Sequence, residues 1–150
     1  MKESQTVLLV EDDPDDVLLT QIAFEKARLV NPLQIARDGA EAIEYLEGRA
    51  GSAEQTPQPL PTMFLLDIKM PRMDGFEVLE WMRGQPGLKR MVVIVLTASD
   101  LRMDVNRAYD LGAVSYLIKP PNAETLVALV GRLHAYWLIV NHRPEAEAVA

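Results

Sequence analysis

The chain has no cysteine among its 150 residues. Disulfide bonds, cysteine-ligated zinc sites and thiol nucleophiles are therefore excluded. Histidine is almost as scarce, since His134 and His142 are the two copies and both lie near the C-terminal end. Zinc sites built from imidazoles, which need several histidines close together, are equally unexpected.

Long hydrophobic runs and an excess of positive charge are also lacking. The first apolar run, Val7 to Val10, ends in acids and is too short for a signal peptide or a membrane span. The formal net charge is −7, whereas nucleic-acid binding needs clusters of lysine and arginine. We therefore expect a cytoplasmic protein with no membrane contact and no nucleic-acid partner.

Short apolar runs alternate with helical patterns along the chain. Near-continuous apolar runs indicate strands that are buried on both faces. Asp13 with Pro14, and Asp100, are predicted helix starts, and Gly48 and Gly112 are predicted helix ends. Five strands alternating with five helices predict a doubly wound α/β fold with a parallel sheet. The five runs are "TVLLVEDD", "LQIAR", "MFLLDIK", "MVVIVLTAS" and "SYLIKPP".

The length fits one domain. We expect a single domain over residues 1–141 that ends in an extended helix, followed by a flexible tail over residues 142–150. Glycines and prolines between Gly48 and Pro61 predict a surface loop. About 150 residues leave no room for a separate output domain, so the chain is expected to act by binding another molecule or by passing a group on.

Charged side chains follow the predicted strands at their carboxyl ends, where open α/β sheets bind ligands. The acids are Glu11, Asp12 and Asp67, and Thr97 and Lys119 follow the last two strands. Two carboxylates about 5 Å apart repel by roughly 3 kcal/mol at an effective dielectric of about 20, and one lysine cannot neutralise three. Oxygen ligands of this kind suit Mg²⁺ or Mn²⁺. The plainer alternative is that such acids merely cap the following helix, a role that suits Asp13.

The position of Asp67 at this edge predicts a chemical role. A carboxylate can attack phosphorus and form an acyl phosphate. Lys119 and a metal ion would then hold the phosphoryl oxygens, and Thr97 would donate a hydrogen bond to one of them.

The motifs "VLLVEDD", "LLDIKMPRMDG", "VLTAS" and "YLIKPP", in this order and spacing, resemble the receiver domain of two-component response regulators. The resemblance extends from about Thr6 to Leu133. It implies a flavodoxin-like (βα)₅ fold with strand order 2-1-3-4-5. It also implies a signalling domain rather than an enzyme, with self-catalysed phosphotransfer and autodephosphorylation as its chemistry.

The resemblance assigns the site residues one by one. It makes Asp67 the phospho-acceptor, Asp12 a direct metal ligand and Glu11 a ligand through water. The backbone carbonyl of Lys69 is implied as a further metal ligand, with Asp67.

Further assignments concern the switch. Thr97 and Lys119 take the positions of the family's hydroxyl and lysine, and Tyr116 that of the switch aromatic. The Lys119–Pro120 bond takes the place of the family's cis peptide.

A narrower resemblance links "DGAEAIEYL", the long loop and "HAYWLIV" to the small regulators that serve bacterial phytochromes, which are light-sensing histidine kinases. It implies a histidine kinase partner, with a phytochrome as a candidate. Neither His134 nor His142 lies near the strand ends, so the phosphoryl group is not expected to come from this chain. Lys69 stands where that subfamily often has Asn, which leaves the lifetime of the phosphoryl group open.

The last predicted helix becomes apolar on every side beyond Leu133. One domain cannot cover consecutive apolar residues all around a helix, and an exposed apolar patch usually marks an interface. We hypothesise a C2 homodimer; the alternative is that the segment folds back on its own domain. The residues concerned are Tyr136, Trp137, Leu138, Ile139 and Val140.

Two other functions fit the sequence less well. A phosphorylation-independent receiver-like scaffold would have lost a site residue, whereas every expected side chain is present. A haloacid-dehalogenase-like phosphatase would carry a second aspartate two residues after its nucleophile, where this chain has Lys69. Phosphorylation by acetyl phosphate would argue against the scaffold, and release of phosphate from small phosphomonoesters would argue for the phosphatase.

Overall fold

Five parallel strands form one sheet with helices on both faces in the computed structural model, which describes residues 5–48, 60–88 and 91–140. Most of the predicted loop Gly48–Pro61 and the predicted tail 142–150 lie outside the described residues. Within the described part of the chain, no helix is long and apolar enough to cross a membrane. The elements are β1 (Val7–Val10), α1 (Pro14–Lys26), β2 (Leu33–Ala36), α2 (Gly39–Leu46), β3 (Met63–Leu66), α3 (Gly75–Arg83), β4 (Val92–Thr97), α4 (Arg102–Asp110), β5 (Ser115–Ile118) and α5 (Ala123–Leu133), continued by a π-helix (His134–Val140).

The strand order is β2-β1-β3-β4-β5, which confirms the predicted flavodoxin-like topology. Val10 of β1 pairs with Leu66 of β3, and Thr97 of β4 pairs with Ile118 of β5. The residues that follow these strand ends therefore emerge at one edge of the sheet. That edge is where the sequence places its charged side chains.

The core has a layer on each face of the sheet. Strands β1, β3 and β4 are buried throughout, while the edge strands β2 and β5 are partly exposed. Because successive side chains of a strand point to opposite faces, alternate residues enter different layers. Val7 and Leu9 pack in the layer that α1 and α5 cover, and Leu8 and Val10 pack in the layer under α2 and α3.

The ends of most helices follow the predictions. Asp13 accepts a hydrogen bond from the Asp15 amide at 2.8 Å, and Pro14 opens α1. Gly48 and Gly112 follow α2 and α4 with φ of 76° and 104°, a region that glycine enters without a steric penalty.

The prediction that Asp100 caps α4 is wrong. Helix α4 begins at Arg102, the N-cap position falls on Leu101, and no side chain there caps the helix. The backbone is still extended at Leu101, with ψ of 128°, so the helix starts one residue too late for the Asp100 carboxylate to act as its cap.

The expected cis bond between Lys119 and Pro120 is also wrong. The described residues contain no cis peptide. The trans form of a bond before proline is favoured by about 0.5–1 kcal/mol. With the trans bond, the Lys119 ammonium still reaches the Asp67 carboxylate, at 2.9 Å.

The C-terminal helix changes its winding after Leu133. The π-helical turns are wider than α-helical ones, so the apolar stripe shifts and turns Leu138 into the chain's own core, where it is 6% exposed. Gln5 Nε2 also donates to the Leu138 carbonyl at 3.1 Å. Tyr136 remains 52% exposed. The fold-back alternative therefore holds for Leu138, while the side chains of Ile139 and Val140 lie outside the described residues.

Candidate functional site

Asp67 lies directly after β3 and is almost fully buried. Its Oδ1 accepts hydrogen bonds from the Thr97 hydroxyl at 2.7 Å and from the Lys69 amide at 3.1 Å. Its Oδ2 accepts a hydrogen bond from Lys119 Nζ at 2.9 Å. The three predicted phosphotransfer side chains, Asp67, Thr97 and Lys119, thus meet at one carboxylate. A buried charge of this kind is tolerated because it is paired and hydrogen-bonded.

The Lys119 ammonium also contacts two further carboxylates. It lies 2.7 Å from Glu11 Oε1 and 2.7 Å from Asp16 Oδ2. Burial alone would lower the pKa of Lys119, but its hydrogen bonds to Asp16, Glu11 and Asp67 together raise it above its usual value. Lys119 is therefore a permanently charged group with an acceptor for each of its three N–H donors.

Asp16 is a site residue that the sequence interpretation missed. It lies in the first turn of α1, where an acid is expected simply because it complements the helix dipole. The signal that was available is the position of α1 immediately after β1, which brings its first turn to the charged edge of the sheet.

Glu11 is 3% exposed, so its carboxylate is held out of water. Burial, and secondarily the negative charge of Asp67, raise the pKa of Glu11 to about 7, although Lys119 and the Asp13 amide act in the opposite direction. Near neutral pH the negative charge of the carboxylates in the site therefore exceeds what the single ammonium group of Lys119 can stabilise.

Glu11, Asp12 and Asp67 form the predicted acidic cluster. Each offers a carboxylate oxygen, and these oxygens lie within 4.8 Å of one another. Donors that are all oxygen, together with uncompensated negative charge, fit a hard divalent cation such as Mg²⁺ or Mn²⁺. The residues present therefore fit the expected metal.

The two proposed switch residues lie on neighbouring strands. Thr97 is fully buried. The Tyr116 side chain is half-buried, and its hydroxyl donates to the Ser99 carbonyl at 2.8 Å. Burial raises the pKa of Tyr116, so the phenol stays protonated and keeps this hydrogen bond at neutral pH.

Lys69 extends from the site to α4. Its ammonium lies 3.1 Å from Asp104 Oδ2, and the same oxygen accepts a hydrogen bond from the Ser99 hydroxyl at 2.6 Å. The Ser99 hydroxyl, together with Lys69, lowers the pKa of Asp104. Sequence reasoning missed Asp104 because this contact joins residues 35 positions apart.

Gly75, the first residue of α3, allows that helix to approach the end of β3. A Cβ at this position would lie 2.5 Å from the Asp67 carbonyl oxygen and 2.7 Å from Ile68 Cα. The helix start is fixed by Asp74 and Glu77, whose side chains each accept a hydrogen bond from the other's backbone amide. The loop that carries Asp67 is therefore braced by the backbone of α3.

Comparisons with known proteins agree with this arrangement. A family model of the response regulator receiver domain matches residues 7–131. The chain is 38% identical over 138 residues to the probable methanogenesis regulatory protein FilR2 of Methanothrix harundinacea, covering 92% of this chain and 86% of that one. It is 37% identical over 134 residues to the response regulator Rcp1 of Synechocystis, covering 89% of each.

Solved structures extend the similarity to the fold. The phosphorylated cyanobacterial phytochrome response regulator RcpA superposes with a TM-score of 0.84 at 32% identity, over 95% of this chain and 100% of that one. The Mn²⁺-bound form of Rcp1 superposes with a TM-score of 0.81 at 35% identity, over 94% of this chain and 99% of that one. The chain belongs to the response regulator receiver domains and is related to those of phytochrome signalling.

Proposed function

We propose that Asp67 accepts a phosphoryl group from a phosphohistidine of a partner histidine kinase, and that the acyl phosphate changes the surface this chain presents to its target. The observation that carries the proposal is the convergence of the Thr97 hydroxyl and the Lys119 ammonium on the Asp67 carboxylate, at 2.7 and 2.9 Å. Both are donors placed where phosphoryl oxygens would develop charge.

The transfer exchanges one bond to phosphorus for another. An Asp67 oxygen forms a bond to phosphorus as the phosphorus–nitrogen bond of the phosphohistidine breaks, and the imidazole nitrogen takes up a proton as it leaves. Lys119 and Thr97 then bind phosphoryl oxygens in place of the carboxylate. Burial of Asp67 excludes bulk water from the anhydride and so favours its persistence.

The acidic cluster supports a divalent cation in this reaction. Glu11, Asp12 and Asp67, with the backbone carbonyl of Lys69, would hold Mg²⁺ or Mn²⁺. When bound, the ion supplies charge neutralisation for the phosphoryl oxygens. Glu11 is suited to this role because its carboxylate is buried, and its negative charge is only partly balanced without such a cation.

The proposed response uses Thr97 and Tyr116. A Thr97 hydroxyl that turns from the Asp67 carboxylate to a phosphoryl oxygen leaves space beside β5. Tyr116 then gives up its hydrogen bond to Ser99 and moves inward. Two or three charge-assisted hydrogen bonds of roughly 1.5–3 kcal/mol each suffice for a shift from 1:99 to 99:1, which needs about 5.5 kcal/mol.

The names of the relatives suggest which kinase is the donor. RcpA, a cyanobacterial phytochrome response regulator, supports a phytochrome histidine kinase as the donor, whereas FilR2, a probable methanogenesis regulatory protein, points to a different signalling context. Phosphotransfer profiling against purified kinases of both kinds tests the choice. A rate that is fastest with the phytochromes would support light control.

The exposed Tyr136 supports a homodimer at the C-terminal helix. Its ring packs edge-on against Trp137, with ring centroids 4.8 Å apart, and more than half of Tyr136 is exposed. Light scattering should show that Tyr136→Glu is monomeric if this surface forms the dimer. A dimeric Tyr136→Glu variant would remove the proposal.

Incubation with acetyl phosphate and Mg²⁺, followed by intact-mass measurement, tests the phospho-acceptor. We expect the chain to gain one phosphoryl group and Asp67→Asn to gain none. Asp100→Asn, which alters an exposed acid nearby, is the matched control and should gain the group normally. An unmodified wild-type chain would favour the phosphorylation-independent scaffold.

A further inference from the structure

We propose that Lys69 is a movable link between Asp67 and helix α4: phosphorylation draws its ammonium away from Asp104, and the first turn of α4 is released. The inference rests on the proposed phosphorylation of Asp67 and deepens it by naming a second route to the surface, which starts from Lys69 rather than from Thr97.

The link has a mobile end and a buried end. The Lys69 side chain is 56% exposed, whereas that of Asp104 is 10% exposed. The ammonium group sits at the end of four rotatable bonds, so the lysine can change partners while Asp104 stays in place. Movement of the lysine would leave a buried carboxylate with the Ser99 hydroxyl as its remaining described hydrogen-bond donor.

Few described side-chain contacts hold the start of helix α4. The N-cap residue Leu101 provides no side-chain acceptor. The Ser99 hydroxyl lies 3.4 Å from the Leu101 amide, which is long for a hydrogen bond. The contacts of Asp104 with Ser99 and Lys69 therefore tie the first turn to the rest of the site. A helix start with few side-chain partners opens readily when one of them is lost.

Phosphorylation supplies a competitor for the ammonium close by. The Lys69 amide already donates to Asp67 Oδ1, so the side chain begins beside the reacting group. Conversion of a carboxylate into an acyl phosphate changes its charge from −1 to about −2 and adds three acceptor oxygens. Lys119 is already shared among three carboxylates. A divalent cation beside Asp67 would have the charges of Glu11 and Asp12 to offset as well, so part of the added charge is left for another cation.

The release would change an exposed apolar surface. Leu101 and Met103, on either side of the start of α4, are 55% and 72% exposed. Ser99 connects the same region to Tyr116, because its carbonyl accepts the phenol hydrogen bond. Loss of the Lys69–Asp104 contact therefore alters the surface at the α4 start and loosens the segment that holds Tyr116.

Hydrogen exchange of the α4 amides tests this inference. The full chain is kept in excess acetyl phosphate and Mg²⁺, and intact mass is measured on the same samples. In the wild type, phosphorylation should speed exchange of the Asp104 and Val105 amides, which donate to the Leu101 carbonyl at 3.0 and 3.1 Å in the first turn, by about five-fold or more. Asp104→Asn keeps an acceptor for Ser99 but loses the charge that attracts Lys69. Its first turn should exchange fast before phosphorylation and change less than about two-fold afterwards.

Two further variants keep the result interpretable. Lys69→Met removes the mobile cation from an exposed position and should behave as Asp104→Asn does. Asp110→Asn removes the same charge from the exposed last residue of α4 and should respond as the wild type does.

The possible failures are distinct. A wild-type chain that gains the phosphoryl mass with no change in first-turn exchange overturns the link but leaves the proposed function intact. So does an Asp104→Asn variant that retains the full wild-type response. A wild-type chain that gains no mass overturns the proposed function, and the link with it.

Discussion

The ammonium of Lys119 lies as close to Asp16 as to Glu11, 2.7 Å from an oxygen of each. Asp16 comes from the first turn of α1 and not from a strand end. The lysine that is expected to bind a phosphoryl oxygen is therefore already occupied by a third carboxylate. Before it can turn to the phosphoryl group, one of its present contacts must weaken.

Asp16→Asn should speed phosphorylation by acetyl phosphate about 3- to 10-fold. It removes one negative charge at roughly 6 Å from the incoming anion, which is worth about 1 kcal/mol at an effective dielectric of about 50, a value suited to a partly exposed group. It also frees Lys119 for the phosphoryl oxygens. Intact mass followed over time measures the rate. Asp15→Asn, an exposed neighbour in the same helical turn, is the control, and an equal acceleration by that variant would show that only net charge matters.

The pKa of Glu11 predicts how stability depends on pH when no metal is present. It rises from an ordinary 4.5 to about 7 in the folded chain, so the folded state binds more protons than the unfolded state between these values. The free energy of unfolding therefore falls as pH rises from about 5 to 7, by roughly 2–3 kcal/mol for this group.

Urea titrations in a chelator, at pH 5 and pH 8, measure this fall. Glu11→Gln should reduce it, because an amide does not titrate. Added Mg²⁺ should stabilise the wild type more at pH 8 than at pH 5, since the cation and the proton compete for the same carboxylate. An unaltered pH slope in Glu11→Gln would mean that another group is responsible.

Gly75→Ala should damage both stability and phosphorylation. The new methyl group would lie 2.5 Å from the Asp67 carbonyl oxygen, and backbone atoms cannot move aside as a flexible side chain can. We expect a loss of about 1–3 kcal/mol in the free energy of unfolding, with slower phosphorylation because Asp67 shifts.

Gly131→Ala provides the matched control for this change. Nothing lies within 4 Å of a Cβ at Gly131 in α5, so the substitution should stabilise the helix by about 0.5–1 kcal/mol. Urea titration measures both variants. Equal stability of Gly75→Ala and the wild type would show that the α3 start is less tightly braced than its geometry implies.

The fold and the centre of the site could be predicted because their signals are local or repeated. Apolar runs mark the strands, and the parallel arrangement brings the residues after each strand to one edge. Asp67, Thr97 and Lys119 were predicted for this reason, and their hydrogen bonds agree. Asp13 was predicted as a cap because Pro14 follows it.

The remaining features depend on geometry that the sequence does not display. Asp16 joins the site through the placement of α1 against the β5–α5 loop, and Asp104 joins it across 35 residues. Leu138 turns inward because the helix widens into a π-helix after Leu133. The expected cap at Asp100 is absent because the helix starts one residue later than predicted. Propensity patterns do not locate a helix start to within one residue.

The face of α1 beside the site should receive the kinase. Leu18 and Leu19 are 54% and 42% exposed, and Leu19 lines a cleft of about 180 Å³ that also includes Lys119 and Pro121. A phosphohistidine must approach Asp67 at this same edge.

Leu19→Arg should therefore lower phosphorylation by the best donor kinase about ten-fold or more and leave phosphorylation by acetyl phosphate within about two-fold. Val30→Arg, at a position that is 95% exposed and precedes β2 at the opposite end of the sheet, is the control and should leave both rates unchanged. If Leu19→Arg slowed phosphorylation by the kinase and by acetyl phosphate equally, the substitution would be disturbing Lys119 and the site itself. That result would contradict the prediction that the kinase docks on α1.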